Sequence, residues 1–150
     1  MKIRLLLAVL SAFFLAVGLA AADGSHTKGA EPARISRGET IDLADYVVPG
    51  KTTIFDFSSE YCGPCRAYVG PLTSLHQKRA DIAVVRVDIN RPNVKGIDWD
   101  SPVAKQFGLH SIPCFKVYGP DGKLLAEDKS DSEEYSARFM VDKWLESLGQ

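Results

Sequence analysis

Cysteine and histidine are scarce in this chain, with three residues of each among 150. A structural zinc site takes four ligands, and the closely spaced Cys62 and Cys65 supply only two. The remaining candidates are Cys114 and three scattered histidines. The composition therefore disfavours a bound metal.

Positive charge is not in excess either, since 18 lysines and arginines stand against 19 aspartates and glutamates. Without the first 22 residues, which include Lys2 and Arg4, the balance becomes 16 basic to 19 acidic residues. A chain of this charge is not expected to bind nucleic acid. Internal repeats are absent, and 45% apolar with 25% charged residues is ordinary for one globular domain.

The first 22 residues differ from the rest of the sequence. Lys2 and Arg4 precede an almost wholly apolar run over residues 5–22, which ends in Ala20-Ala21-Ala22. This pattern is typical of a secretory signal peptide. An uncleaved membrane anchor is the alternative, because the run approaches the length of a spanning helix. Both interpretations predict a periplasmic or otherwise exported protein, tethered to the membrane in the second case.

The remaining sequence divides into a lead and a domain. Residues 23–37 are polar and rich in small residues, which predicts a flexible lead. The domain is predicted over residues 38–150. It should begin with a short strand after Gly38, a helical turn at residues 43–46 and a turn at Pro49-Gly50.

Buried strands are predicted over 52–58 and 82–89, where β-branched and aromatic residues cluster, with a helix between them from Cys62 to about Arg79. Ser101-Pro102 predicts the start of a short helix. Strands over 114–119 and 123–128 should form a hairpin, and Ser130 and Glu133 have capping-box spacing before a last helix. The two strands of a βαβ unit are parallel to each other, whereas the two strands of a hairpin are antiparallel. The predicted fold is therefore α/β, with a mixed central β-sheet flanked by helices on both faces.

The segment Cys62-Gly63-Pro64-Cys65 places two thiols three positions apart, at the start of a predicted helix. In helical geometry their Cα atoms fall within disulfide range. The helix N-terminus favours the thiolate of Cys62, which predicts that Cys62 is the nucleophile and that the less exposed Cys65 resolves the mixed disulfide. A structural disulfide and a metal site remain alternatives, but so small a ring constrains the unfolded chain little.

Asp56 lies within the buried-strand pattern TTIFDF, where a carboxylate is costly. An inward-pointing Asp56 would have a raised pKa and could accept the proton that Cys65 must lose. Arg86, on the next predicted strand, is a candidate partner for it. The alternative is that Asp56 lies on a solvated face.

The segment FDFSSEYCGPCR resembles the active-site segment of thioredoxins, and Ser111-Ile112-Pro113 resembles the family's Ile-Pro sequence. The resemblance covers about residues 38–148. It implies a thioredoxin-like fold, a cis peptide bond at Ile112-Pro113, and no cofactor beyond the redox-active Cys62–Cys65 pair. It also implies a substrate-binding surface formed by Tyr61, Gly63, Pro64, Ile112 and Pro113.

The sequence departs from the usual thioredoxin pattern at several positions. Tyr61 replaces the tryptophan before the first cysteine, and Arg86 stands where the family commonly has lysine. Pro71 predicts a bend in the active-site helix. Cys114, next to Pro113, is interpreted as a small buried side chain, with a third redox-active thiol as the alternative.

The expected function is that of an exported thiol–disulfide oxidoreductase, in which reduction or isomerisation of protein disulfides is favoured over oxidation. An exported dithiol needs a source of electrons. We therefore expect a membrane thiol donor and exported protein substrates, with cytochrome c maturation as one hypothesis and a monomer as the expected state. The alternative function is a soft-metal module that binds or delivers copper or zinc through the same thiols.

Overall fold

The longest strands of the sheet come from the two apolar runs of the sequence. In the computed structural model, which describes residues 28–129 and 136–149, they are β2 (Thr52–Ser58) and β3 (Ile82–Asp88). The other strands are β1 (Ala33–Ile35), β4 (Cys114–Tyr118) and β5 (Leu124–Glu127). The helices are α1 (Gly63–Lys78), α2 (Pro102–Gln106) and α3 (Ser136–Ser147), with a 3-10 helix at Leu43–Tyr46.

The five strands form one mixed sheet in the order β1-β3-β2-β4-β5. β3 pairs in parallel with β1 and β2, whereas β4 is antiparallel to both β2 and β5. This arrangement brings the ends of β2 and β3 and the beginning of β4 to the same edge of the sheet. The segment with Cys62 and Cys65 and the segment with Ile112 and Pro113 therefore meet at that edge.

Both faces of the sheet are covered. On one face, α1 and α3 contribute Leu72, Leu75, Val141 and Leu145 to a core that includes Ile54 and Phe115. On the other face, the 3-10 helix and α2 contribute Leu43, Val103 and Ala104 to a core that includes Phe55, Phe57 and Val87. The predicted α/β class, with a mixed sheet flanked by helices on both faces, is confirmed.

The prediction that residues 23–37 form a flexible lead is wrong for residues 33–35. These residues form β1, which lies parallel to β3 and places Ile35 in the core. The strand predicted just after Gly38 is not formed, because sheet pairing on that side is taken by β1. The polar sequence gave no sign of this strand, since a three-residue edge strand has two exposed residues and only one buried side chain.

α1 runs without interruption through Pro71. The predicted signal peptide or anchor over residues 1–22 and the capping box at Ser130 and Glu133 lie outside the described residues. Within the described parts of the chain, no helix has the length and apolar character needed to cross a bilayer.

Candidate active site

The site is centred on a disulfide bond between Cys62 and Cys65, whose Cα atoms are 5.2 Å apart. Cys62 is the N-cap of α1, and its sulfur accepts a hydrogen bond from the backbone amide of Cys65 at 3.1 Å. Pro64 fits the first turn, where an amide hydrogen has no helical partner. The helix start predicted from the sequence therefore places an amide donor and the positive end of α1 at the sulfur of Cys62.

The two cysteines are equally buried in the disulfide form, each with 2% of its surface exposed. The prediction that Cys65 is the less exposed of the two is therefore wrong for this form. The surroundings distinguish them instead. The sulfur of Cys62 lies 3.6 Å from the carbonyl oxygen of Ile112, whereas Cys65 lines a cavity of about 260 Å³ on the other side.

The peptide bond between Ile112 and Pro113 is cis, as the resemblance implied. It brings the backbone of Ile112 next to Cys62, at the point where β4 begins. Pro113 is buried and Ile112 is half-buried. The main chain of Ile112 is thus placed where an extended polypeptide could lie across the disulfide.

Asp56 points into the protein, with only 1% of its surface exposed. Burial raises its pKa to about 7, although the charge of Arg86 and the side chain of Ser58 act in the opposite direction. Its Oδ1 atom has no hydrogen-bond partner in the structure. A carboxyl group with these properties exchanges a proton near neutral pH, which is the property required of a proton acceptor in thiol chemistry.

The expected ion pair between Asp56 and Arg86 is not formed. The two residues are opposite each other in β2 and β3. However, the guanidinium group of Arg86 extends to α1, where it donates to the carbonyl of Val69 at 2.9 Å and to the hydroxyl of Thr73 at 2.7 Å. These two hydrogen bonds direct the guanidinium toward α1 and away from the buried carboxyl. Arg86 and Cys65 line the same cavity.

The residues around the cysteines form an exposed rim. Tyr61 has 42% of its surface accessible, and Gly63 and Pro64 are exposed as well. Ile112, whose carbonyl oxygen is 3.6 Å from the Cys62 sulfur, and the buried Pro113 lie on the other side of Cys62. The structure therefore brings together the five residues predicted to bind substrate.

Cys114 is buried at the start of β4, and its thiol contacts the carbonyl oxygen of Asp128 at 3.6 Å. The carboxylate of Asp128 accepts hydrogen bonds from the amides of Phe115 and Arg138, each at 2.9 Å. The guanidinium of Arg138 donates to the carbonyl of Pro113. This network behind the cis proline was missed from the sequence, where Asp128 looked like the polar end of a strand.

A metal site is not apparent in the part of the chain that the structure describes. Residues 28–129 and 136–149 contain no group of three or more histidine, cysteine, aspartate or glutamate side chains arranged to hold an ion.

Comparison with known proteins agrees with this geometry. A family model described as Thioredoxin matches residues 42–137. The F-type chloroplastic thioredoxin of Pisum sativum is 30% identical over 77 residues, covering 51% of this chain and 38% of that protein. A thioredoxin of Streptomyces clavuligerus is 31% identical over 75 residues, which are 50% of this chain and 63% of that protein. The chain therefore matches less than two thirds of the length of these relatives.

Among solved structures, the oxidised form of mitochondrial thioredoxin 3 from Saccharomyces cerevisiae superposes with a TM-score of 0.51 at 21% identity. The superposition covers 78% of this chain and 95% of that one, and it shows that the fold is thioredoxin-like. The family model spans the site itself, from the 3-10 helix through Cys62, Cys65 and the cis proline to the first turn of α3. The chain belongs to the thioredoxin family.

Proposed function

We propose that this protein is an exported thiol–disulfide oxidoreductase that reduces or isomerises disulfides in other proteins through Cys62 and Cys65. The observation that carries the proposal is the disulfide at the start of α1, with its Cys62 sulfur beside the main chain of Ile112. A reactive sulfur next to backbone that can pair with an extended chain is suited to a polypeptide substrate rather than to a small-molecule thiol.

The proposed reduction transfers two electrons from the dithiol to the substrate. The Cys62 thiolate attacks one sulfur of the substrate disulfide, which forms a mixed disulfide and releases the other substrate sulfur as a thiolate. Cys65 then loses its proton and attacks the sulfur of Cys62. The substrate leaves with both sulfurs reduced, and the Cys62–Cys65 disulfide remains.

Asp56 is the proposed acceptor of the Cys65 proton. Its pKa of about 7 lies between those of an ordinary carboxyl and an ordinary thiol. Cys65 and Arg86 share a cavity wall, and Arg86 lies opposite Asp56 in the sheet. Asp56 itself does not line this cavity, so the proposed path requires a water molecule between the Cys65 thiol and the buried carboxyl.

Reduction or isomerisation is the proposed direction, with oxidation as the competing one. The buried carboxyl supports reduction, because it assists formation of the thiolate that resolves the mixed disulfide. Export implies an electron donor, proposed to be a membrane thiol protein, because an oxidising compartment does not supply reduced thiols. Exported proteins, including those of cytochrome c maturation, are the proposed substrates of a monomeric enzyme.

The test is reduction of insulin by dithiothreitol, followed by turbidity as the released chains precipitate. The purified domain should accelerate precipitation, and Cys62→Ser should abolish the acceleration because serine cannot form the mixed disulfide. Normal activity in Cys62→Ser would rule out the assigned nucleophile. The reduction potential of the Cys62–Cys65 pair then decides direction, since a strongly oxidising value would contradict a reductase.

A further inference from the structure

Two adjoining cavities form a groove beside the cysteine pair, on the side of the sheet occupied by β3 and β1. One has a volume of about 260 Å³ and includes Cys65 in its wall. The other, of about 180 Å³, includes Tyr61. Both are lined by Arg34, Glu60 and Asp88, so the cavities share a wall. The groove therefore passes along the residues that immediately precede Cys62.

Arginine is the dominant side chain of this groove. The positive charges come from two strands, the two segments that follow these strands, and α1. The five residues are Arg34, Arg37, Arg66, Arg86 and Arg91. We call this feature the arginine groove. Arg34 comes from β1, whose formation the sequence did not predict, and Arg91 from the segment after β3. The set is therefore assembled only when β1 pairs with the sheet.

Two of these arginines already have carboxylate partners. Arg34 pairs with Asp88, and Arg91 holds the buried Asp98 through two hydrogen bonds of 2.7 and 2.9 Å. In the described residues, Arg37, Arg66 and Arg86 form no ion pair. Arg66 donates to the carbonyl of Glu60 at 3.2 Å. The exposed guanidinium groups of Arg37 and Arg66 are thus available to a ligand, whereas that of Arg86 is held by Val69 and Thr73.

The local charge of the groove is opposite to that of the whole chain. Five arginines and two carboxylates, Glu60 and Asp88, line the groove itself, and the carboxylates of Glu39, Asp98 and Asp100 lie beside Arg37 and Arg91. The lining is therefore positive, whereas the full chain has a net charge of −1. A cleft with a concentrated positive potential attracts negative groups and raises their rate of association. Guanidinium groups also bind carboxylates with two parallel hydrogen bonds, which gives the attraction a defined geometry.

The arginine groove and the backbone of Ile112 lie on opposite sides of the Cys62 sulfur. Ile112 offers its backbone on the β4 side of the sulfur, while the arginine groove lies on the β3 side. A polypeptide that crosses Cys62 would meet main-chain contacts on one flank and guanidinium groups on the other. The first contact is independent of sequence, and the second depends on the charge of the substrate.

We propose that the arginine groove selects substrates that carry acidic residues next to the target disulfide. The inference rests on the proposed function, because it names the substrate class for the same cysteine pair. Carboxylates of the substrate would be bound by Arg37 and Arg66 while its disulfide sulfur meets Cys62. A substrate with lysines in the same positions would be repelled.

The experiment uses the reduced protein and three synthetic peptides that share one disulfide ring and differ only in flanking residues. The flanks are aspartates, serines or lysines. The reduced protein is mixed with each peptide under single-turnover conditions, so that two electrons pass from Cys62 and Cys65 to the peptide disulfide. The reaction is quenched with acid at set times, and chromatography of the reduced peptide gives the rate of reduction. The aspartate peptide should react roughly fivefold faster than the serine peptide at about 0.02 M salt and nearly equally at about 0.5 M.

Two double variants distinguish an effect of the arginine groove from an effect of the net charge of the protein. Arg37→Gln with Arg66→Gln removes two exposed charges of the groove, and it should reduce the aspartate-to-serine rate ratio to roughly half or less. Lys78→Gln with Lys143→Gln removes two exposed charges at the far end of α1 and on α3. This control has the same net charge, and its rate ratio should equal that of the unmodified protein.

The outcomes distinguish this inference from the proposed function. If none of the peptides is reduced, the oxidoreductase function itself fails. Equal reduction of all three peptides at low salt would leave the function intact and overturn the acidic preference. An equal fall of the ratio in both double variants would also overturn it, because net charge rather than the groove would then set the preference.

Discussion

Asp56 of β2 lies directly opposite Arg86 of β3, yet these two oppositely charged residues do not form an ion pair. Asp56 Oδ1 and Arg86 Nε are both buried without a hydrogen-bond partner in the structure. The guanidinium is held by Val69 and Thr73 of α1 instead. Burial raises the pKa of Asp56 to about 7, because the charge of Arg86, which acts to lower the pKa, is not close enough to form an ion pair.

This raised pKa predicts how stability depends on pH. The unfolded chain ionises Asp56 near its ordinary value of 3.8, and the folded protein only near 7, so folding opposes ionisation. The contribution of Asp56 to the free energy of unfolding should decrease as pH rises from about 4 to about 7 and remain low above that. Asp56→Asn, which cannot ionise, should be more stable than the unmodified protein by about 4 kcal/mol at about pH 8.

Urea denaturation of the disulfide form at about pH 4.5 and about pH 8 measures this difference. The variant and the unmodified protein should have similar stabilities at the lower pH and diverge at the higher one. Thr53→Val, which changes another buried polar side chain of β2 but no titratable group, serves as a control whose effect should not vary with pH. A pH-independent effect of Asp56→Asn would mean that Asp56 does not titrate in this range.

Cys65→Ser should trap substrates on Cys62. A serine hydroxyl does not attack the mixed disulfide, so the adduct with insulin or a disulfide peptide should persist at least about 100-fold longer than in the unmodified protein. Mass spectrometry without reductant measures how much of the adduct remains over time, and dithiothreitol should release the substrate from it. Cys62→Ser is the matched control and should form no such adduct. Adducts on Cys65 in that control would reverse the assigned roles.

The parts of the fold that could be predicted from the sequence are those specified by local chemistry. β2 has the bounds that its β-branched and aromatic residues predict, and α1 starts at the predicted cysteine segment because Cys62 and Pro64 fit the first turn. The cis bond before Pro113 followed from a specific family pattern. These features are indicated by a few neighbouring residues, so a short stretch of sequence is enough to predict them.

The parts that could not be predicted depend on contacts between distant residues. β1 is defined by its pairing with β3, not by its own polar sequence. The direction of the Arg86 side chain is set by Val69 and Thr73 of α1, which lie more than a dozen residues earlier in the chain. The arginine groove combines β1, α1, β3 and the segment after β3, so no single stretch of sequence reveals it.

Cys114 should be protected from alkylation in the folded protein. Its side chain is buried beside Pro113, and its sulfur contacts the carbonyl of Asp128. In the reduced protein, iodoacetamide should modify Cys62 in preference to Cys114, which should react only upon unfolding in urea. Mass spectrometry of the digested protein measures both positions. Modification of Cys114 at a rate comparable with Cys62 would instead support a third redox-active thiol.

Asp128 should stabilise the fold near the cis proline, although it is not next to Cys62 or Cys65. Its carboxylate accepts the amides of Phe115 and Arg138 and thereby joins β4 to the first turn of α3. Asp128→Ala leaves both amides without this partner, so it should lower the free energy of unfolding by about 3 kcal/mol. Asp45→Ala, an exposed aspartate in the 3-10 helix, is the matched control and should change stability by less than about 0.5 kcal/mol. Equal effects of the two substitutions in urea denaturation would show that the buried network contributes little, and that β4 and α3 are joined by their apolar contacts alone.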